Sequence, residues 1–240
     1  MRVAVLSDIH SNLHALDAAL KAVGPVDRLW VLGDIVGYGP HPNEVVERLA
    51  TAGAIAVQGN HDAAVLGRIP TDTFNDLARE AVEWTAGTVT TSTRGWLAGL
   101  PEKRSEGAFT LTHGSPRDPL WEYLISSSAA GLNMAAFETT HCLVGHTHYP
   151  LTFRMDAGRV DILNAPDGGH LDLDERRCIL NPGSVGQPRD GDPRACVMLL
   201  DTAAGKAEWH RVEYPVERTQ QAIRKLPLPG ALADRLEMGR

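Results

Sequence analysis

Short apolar runs recur through the first half of the chain, and each gives way to a polar cluster. Val3–Leu6 runs into Ser7-Asp8, Leu29–Leu32 into Gly33-Asp34, and Ile55–Val57 reaches Gly59-Asn60-His61 after one residue. Runs this short, bounded by turn residues, predict buried strands. Between them the period changes. Leu13, Leu16, Ala19 and Leu20 form one apolar face of a helix over residues 13–23, with Asn12 as its N-cap and Gly24-Pro25 as its stop. Pro42-Asn43 opens a second helix that ends near Ala52. The order strand–helix–strand–helix–strand predicts right-handed crossovers and a parallel sheet, with functional groups gathered at the carboxyl ends of its strands.

Residues 73–100 have helical character, with Phe74, Leu77, Ala81, Val82 and Trp84 as a packing face. This segment is expected to cap a site or to mediate self-association into a homo-oligomer. Strands return at Phe109–Thr112 and Cys142–Val144, with a helix over 126–138 between them. From Leu151 onward, short apolar runs alternate with turns: Leu151–Met155, Val160–Leu163, Cys178–Leu180, Cys196–Leu200 and Ala207–Val212. These predict a second, mostly antiparallel sheet. A final helix covers 216–226 before Pro227 and Pro229. No repeat is present, and 240 residues suit a single domain over 1–240.

Charge narrows the partners. A net charge of −7 gives no general affinity for a nucleic-acid backbone. Cys142, Cys178 and Cys196 stand far apart without C-x-x-C spacing, which argues against a disulfide framework and a zinc ribbon. No apolar run approaches the ~20 residues that span a membrane, and with the first strand starting at once no leader is expected. A cytoplasmic protein with no membrane partner is expected.

The polar clusters carry the chemistry. A two-metal phosphoesterase needs two cations roughly 3.5–4 Å apart, a carboxylate between them, neutral nitrogen and oxygen donors around them, and an acid for the leaving group. Asp8 and His10 alternate as they leave the first strand, so both can face one side. Asp34 ends the second strand, and Asn60 ends the third with an amide oxygen. His61 can point past the metals toward a leaving group. His113 follows an apolar strand, and His146 and His148 alternate around one residue. Each motif alone is weak; the ordered set is not.

In that order the motifs resemble the calcineurin-like metallophosphoesterase superfamily, whose pattern is D-x-H, G-D, G-N-H-E/D, a separate H, and G-H-x-H. The segment Asn181-Pro182-Gly183-Ser184-Val185-Gly186-Gln187-Pro188-Arg189 resembles the tail of the small bacterial and archaeal phosphodiesterase branch. The resemblance implies an α/β fold, a four-layer α/β/β/α sandwich with two central mixed sheets. It implies that Asp8, His10, Asp34 and His148 hold one metal and that Asp34, Asn60, His113 and His146 hold the other, with Asp34 as bridge. His61 would be the general acid, contacting substrate together with Asn60. The two divalent transition-metal ions would be manganese or iron, with nickel, cobalt or zinc also accommodated.

The chain departs from that pattern after Asp34. Phosphoprotein phosphatases and symmetrical dinucleoside-tetraphosphate hydrolases carry an arginine where Tyr38 stands, and the phosphatases an acid where Gly37 stands. An arginine clamps a phosphate dianion; a diester, with one charge, needs less clamping. The expectation is therefore a dinuclear phosphodiesterase acting on small phosphodiesters, with hydroxide formed at the metals as nucleophile. The alternatives are a small-molecule or nucleotide phosphomonoesterase with the same site, and a non-catalytic scaffold of the same fold. A DNA end-processing nuclease would need a basic groove that the composition does not supply. Arg189 either contacts substrate phosphate or pairs with Asp190 or Asp192. Asn181 and Ser184 are expected to shape a loop near the metals. His14, His41, His141, His170 and His210 receive no role.

Overall fold

Along β1 (Arg2–Leu6), Val3 and Val5 enter one apolar cluster, while Ala4 and Leu6 enter another. A strand buried on both faces needs a covering layer on each. The computed structural model describes residues 1–240. After β1 come α1 (Leu13–Val23), β2 (Arg28–Val31), α2 (Pro42–Thr51), β3 (Ile55–Ala56), α3 (Asn60–Val65), α4 (Asp76–Thr88) and α5 (Thr91–Ala98). Then follow β4 (Lys103–Glu106), β5 (Phe109–Thr112), α6 (Ser127–Asn133), β6 (His141–Leu143), β7 (Pro150–Asp156), β8 (Arg159–Asn164) and β9 (His170–Asp172). The chain ends with β10 (Cys178–Pro182), β11 (Ala195–Asp201), β12 (Lys206–Val212), α7 (Val216–Ile223) and α8 (Ala231–Met238).

Two six-stranded sheets result, ordered β3-β2-β1-β11-β12-β9 and β4-β5-β6-β10-β7-β8. Both are mixed. The first is parallel over β1, β2 and β3 and antiparallel from β11 outward. The second has parallel β5, β6 and β10 between antiparallel neighbours. One apolar cluster joins the first sheet to its helices through Leu16, Val45, Ala81, Leu97, Ile223 and Leu236. A second lies between the sheets, where Val3, Trp30 and Leu32 share a core with Phe109, Leu143 and Leu180. A third seats α6 on the second sheet through Ala130, Met134, Phe153 and Ile179. These make the four layers α/β/β/α.

The halves of the sequence do not map onto the sheets as the turn-rich second half suggested. β11 and β12 join the first sheet, with Ala4 opposite Leu199, while β5 and β6 join the second. The reason is β1, whose open edge is filled from nearly 200 residues away. The helical stretch over 73–100 breaks at Val89-Thr90. Thr90 caps α5 by accepting from the Thr93 N–H, and the Asn43 side chain spans the break, accepting from Thr90 N–H and donating to Thr88 O. Ala78, Ala81, Val82 and Leu97 anchor this stretch in the first core. The short edge strands β4 and β9, and the helices α3 and α8, carry too little apolar pattern to announce themselves. No helix is long and apolar enough to cross a membrane.

Candidate metal centre

The motif residues occupy loops beyond the carboxyl ends of parallel strands. Asp8 and His10 follow β1, Asp34 follows β2, His113 follows β5, and His146 and His148 follow β6. Asn60 does not end a strand: β3 stops at Ala56, and Asn60 and His61 open α3 behind Gly59. Strand alternation does not aim the paired residues either. Asp8, His10, Asp34, His146 and His148 have φ of 52°, 47°, 49°, 65° and 62°. Such left-handed conformations cost a non-glycine residue ~1–3 kcal/mol each. They reverse the chain within a few residues of the strand end and turn the side chains inward. The loops then crowd: a Cβ on Gly59 would lie 2.2 Å from Asp34 Oδ1.

Two buried donor groups form, one of Asp8, His10, Asp34 and His148 and one of Asp34, His113 and His146, each with its ligand atoms within 4.8 Å of one another. Asp34 Oδ2 belongs to both, 3.6 Å from His10 Nε2 and 3.4 Å from His113 Nε2. Its Oδ1 accepts from the His61 backbone N–H at 2.9 Å. Asn60 Oδ1 joins the second group, 3.1 Å from His113 Nε2. His10, His113 and His148 turn Nδ1 to the carbonyls of Val36, Leu32 and Gln187 at 3.2, 2.8 and 2.5 Å. Donation there orients the rings and points each Nε2 inward, where it offers a lone pair once it carries no proton.

That leaves acceptors facing acceptors. His10 Nε2 and His148 Nε2 are 3.2 Å apart, and burial holds both imidazoles well below their usual pKa, so neither is protonated at neutral pH. Asp8 Oδ1 has no donor at all. A buried cluster of lone pairs around a carboxylate is what a cation satisfies. Carboxylate, imidazole and amide donors together suit divalent transition metals. His146 turns Nδ1 toward the second group, 3.0 Å from His113 Nε2.

The loop after β10 braces this arrangement. Ser184 Oγ donates to Asp8 O at 2.8 Å, and Gly186 N–H donates to the same carbonyl at 3.0 Å. Asn181 Nδ2 donates to Gly145 O and Thr147 Oγ1 at 2.7 and 3.0 Å. Gly186 is required because a Cβ would lie 1.8 Å from Ile9 O. Sequence reasoning weighed Asp62 only as a partner for His61, left that partner unidentified, and missed what the residue does hold. Its Oδ1 accepts from Ile35 and Val36 N–H at 3.0 Å each and its Oδ2 from Gly59 N–H at 2.9 Å. It therefore ties the loop carrying Asp34 to the turn carrying Asn60. The available signal was an acid three residues after Gly59, at the third position of a helix.

The model of the calcineurin-like phosphoesterase superfamily domain matches residues 1–205. The chain belongs to that superfamily. Membership makes it a phosphoric ester hydrolase of the metallophosphoesterase kind. A metallophosphoesterase from Sphaerobacter thermophilus, known by crystal structure, is 46% identical; the match covers 100% of this chain and 99% of that one, with a TM-score of 0.92. The uncharacterized protein MJ0912 of Methanocaldococcus jannaschii is 36% identical over 253 residues, spanning 99% of this chain and 98% of its own. Phosphodiesterase YfcE of Escherichia coli is 27% identical over 215 residues, spanning 83% and 87%.

Within this calcineurin-like site, His61 stands beside the shared carboxylate in a cleft of about 430 Å³. Its ring packs against Tyr38 at 4.5 Å, His10 at 4.9 Å and edge-on to Phe74 at 5.0 Å between centroids. Nδ1 is buried without a partner, and a Cβ on Gly37 would lie 2.6 Å from it. Nε2 is the nitrogen left for the cleft. Asp62 does not orient His61, because its carboxylate is spent on backbone. Packing does so instead. Burial pulls the His61 imidazole down to about 4, reinforced by Arg189, against the pull of Asp34. Arg189 lines the same cleft. Asp190 and Asp192 do not hold it, since they pair with Arg211 and Arg194. Arg189 Nη2 donates to Gln187 Oε1 at 2.9 Å. His14 and His41 face each other at 5.4 Å and join neither donor group.

Proposed function

We propose that the protein is a dinuclear metal-dependent phosphodiesterase acting on small phosphodiesters. The observation that carries this reading is the sharing of Asp34 Oδ2 by two buried donor groups. Asp8, His10, Asp34 and His148 would hold one ion; Asp34, Asn60, His113 and His146 would hold the other. Manganese or iron suits these donors, and zinc, cobalt or nickel is accommodated. Two such ions would polarise the phosphate oxygens and make a water nucleophilic at neutral pH. The chain's own groups do the rest. Arg189 attracts the phosphate anion, and its single guanidinium balances the single charge of a diester. His61 carries the proton for the leaving oxygen on Nε2. Burial holds its pKa low, and an arriving phosphate charge raises that pKa toward the range where it can donate.

The preference for diesters rests on Tyr38 and Gly37, which stand where dianion-binding relatives carry an arginine and an acid. The name of the Escherichia coli relative, phosphodiesterase, is in keeping with it. Three buried free cysteines suit the reducing cytoplasm we propose as its setting. Protein purified without chelator should carry between one and two transition-metal ions per chain. It should hydrolyse bis(p-nitrophenyl) phosphate faster than p-nitrophenyl phosphate. Less than one ion per chain with no hydrolysis restored by added metal would sink the metal centre; a large excess of monoester activity would sink the diester preference alone.

A further inference from the structure

Aromatic side chains are scarce here, yet they gather at the cleft. The sequence holds 4 Phe, 5 Trp and 4 Tyr, and four of these thirteen, Tyr38, Phe74, Trp121 and Tyr123, line it beside His61 and Arg189. Tyr123 lies nearly parallel on His146, with ring centroids 4.0 Å apart and planes at 22°, yet is 48% exposed. His146 covers one ring face, and about half of the side chain stays exposed to the cleft mouth. Trp121 meets Phe74 edge-on at 5.1 Å, and Phe74 meets His61 at 5.0 Å. The wall therefore adjoins the residue that faces the leaving group.

The segment presenting these rings is built to hold them. Leu120 and Leu124 are buried on either side of the pair. The Glu122 carboxylate between them accepts from Ser115 Oγ at 2.5 Å and Asn133 Nδ2 at 2.9 Å, and Asp118 Oδ1 accepts from the Trp121 N–H at 3.1 Å. A large exposed ring on a pinned segment pays little ordering entropy on binding a flat partner.

We propose that Trp121 and Tyr123 form a stacking subsite for a planar aromatic leaving group, an aryl or nucleobase-bearing ester, at the mouth of the phosphate site. This rests on the phosphodiesterase reading. Three methyl diesters test it, carrying phenyl, hexafluoroisopropyl or 5′-thymidyl as the second group. The kcat/KM ratio of the phenyl to the hexafluoroisopropyl ester should stand roughly tenfold higher in the wild-type protein than in a variant without the stacking ring, the scale of one stacking contact. Tyr123→Ala and Trp121→Ala should each lower that ratio, while Tyr123→Phe keeps it. Comparing ratios between proteins cancels the intrinsic reactivity of the esters. If the thymidyl ester loses rate in the alanine variants as the phenyl ester does, the subsite takes a nucleobase; if only the phenyl ester does, it takes a bare aryl group. Ratios unchanged in both alanine variants overturn the proposal. If diesters are inert and monoesters are hydrolysed, the diester reading has failed. The same ratio is then read on phenyl and hexafluoroisopropyl phosphate.

Discussion

Replacing Asp62 with asparagine perturbs the centre without touching a donor group. The carboxylate accepts three backbone N–H bonds, from Ile35, Val36 and Gly59, and is fully buried. Burial and the Asp34 charge push its carboxyl up, to about 7, against the pull of these donors. The donors decide its state, since a carboxyl proton would have no acceptor among three N–H groups. Asparagine can keep its oxygen toward Ile35 and Val36, but its NH₂ then faces the Gly59 N–H, donor against donor. Leaving that N–H unsatisfied costs ~1–3 kcal/mol, and losing the charge on the other two bonds costs about 1 kcal/mol each. The expected destabilisation of Asp62→Asn is therefore about 3–5 kcal/mol, out of a total of ~5–15 kcal/mol for a domain. Urea unfolding of chelator-treated protein measures it without interference from metal. Metal affinity should fall as well, because the two loops lose their tie. A loss under about 1 kcal/mol with normal metal affinity would refute the clamp.

Three further outcomes are expected. His61→Ala should keep its metal but lose roughly 10²–10⁴-fold in rate on poor leaving groups and much less on acidic ones; equal losses across leaving groups would mean that His61 binds phosphate rather than donating a proton. Gly37→Ala, at φ +94° with its new Cβ 2.6 Å from His61 Nδ1, should displace the ring and reduce the rate while metal content, by elemental analysis, is unchanged; a wild-type rate would show that Gly37 does not set the ring. Burial pulls the His113 imidazole down, but the charge and hydrogen bond of Asp34 outweigh it and raise it to about 9 in metal-free protein. Metal must displace that proton, so affinity should rise about tenfold per pH unit from pH 7 to 8.5 and level off above the raised pKa; a flat titration by calorimetry would contradict the pairing.

Strand ends and residue types were legible because both are local. The run Val3–Leu6 needs only its own apolar side chains to announce a buried strand, and Asp8, His10, Asp34 and His146 follow such runs at once. The family pattern was legible for the same reason. What escaped was set by contacts across long separations. Asp62 looks like a neighbour of His61, yet two of its three partners lie 26 and 27 residues back. Arg189 could pair with either adjacent aspartate by sequence; Arg211 comes from β12 to take Asp190, and Arg194, just before β11, takes Asp192, which leaves Arg189 facing the cleft.

The sequence by itself therefore determined the donor chemistry, most of the strands and helices, and the strand-to-loop positions of the metal motifs. Tertiary structure alone decided that β11 pairs with β1, that five donor residues take left-handed backbone, and that Asp34 Oδ2 faces two groups at once. It also decided that Trp121 and Tyr123 join the cleft. Apolar periodicity reports which face of an element must be buried. It carries no record of which distant element buries it, and a left-handed residue is stable only where surrounding contacts hold it there.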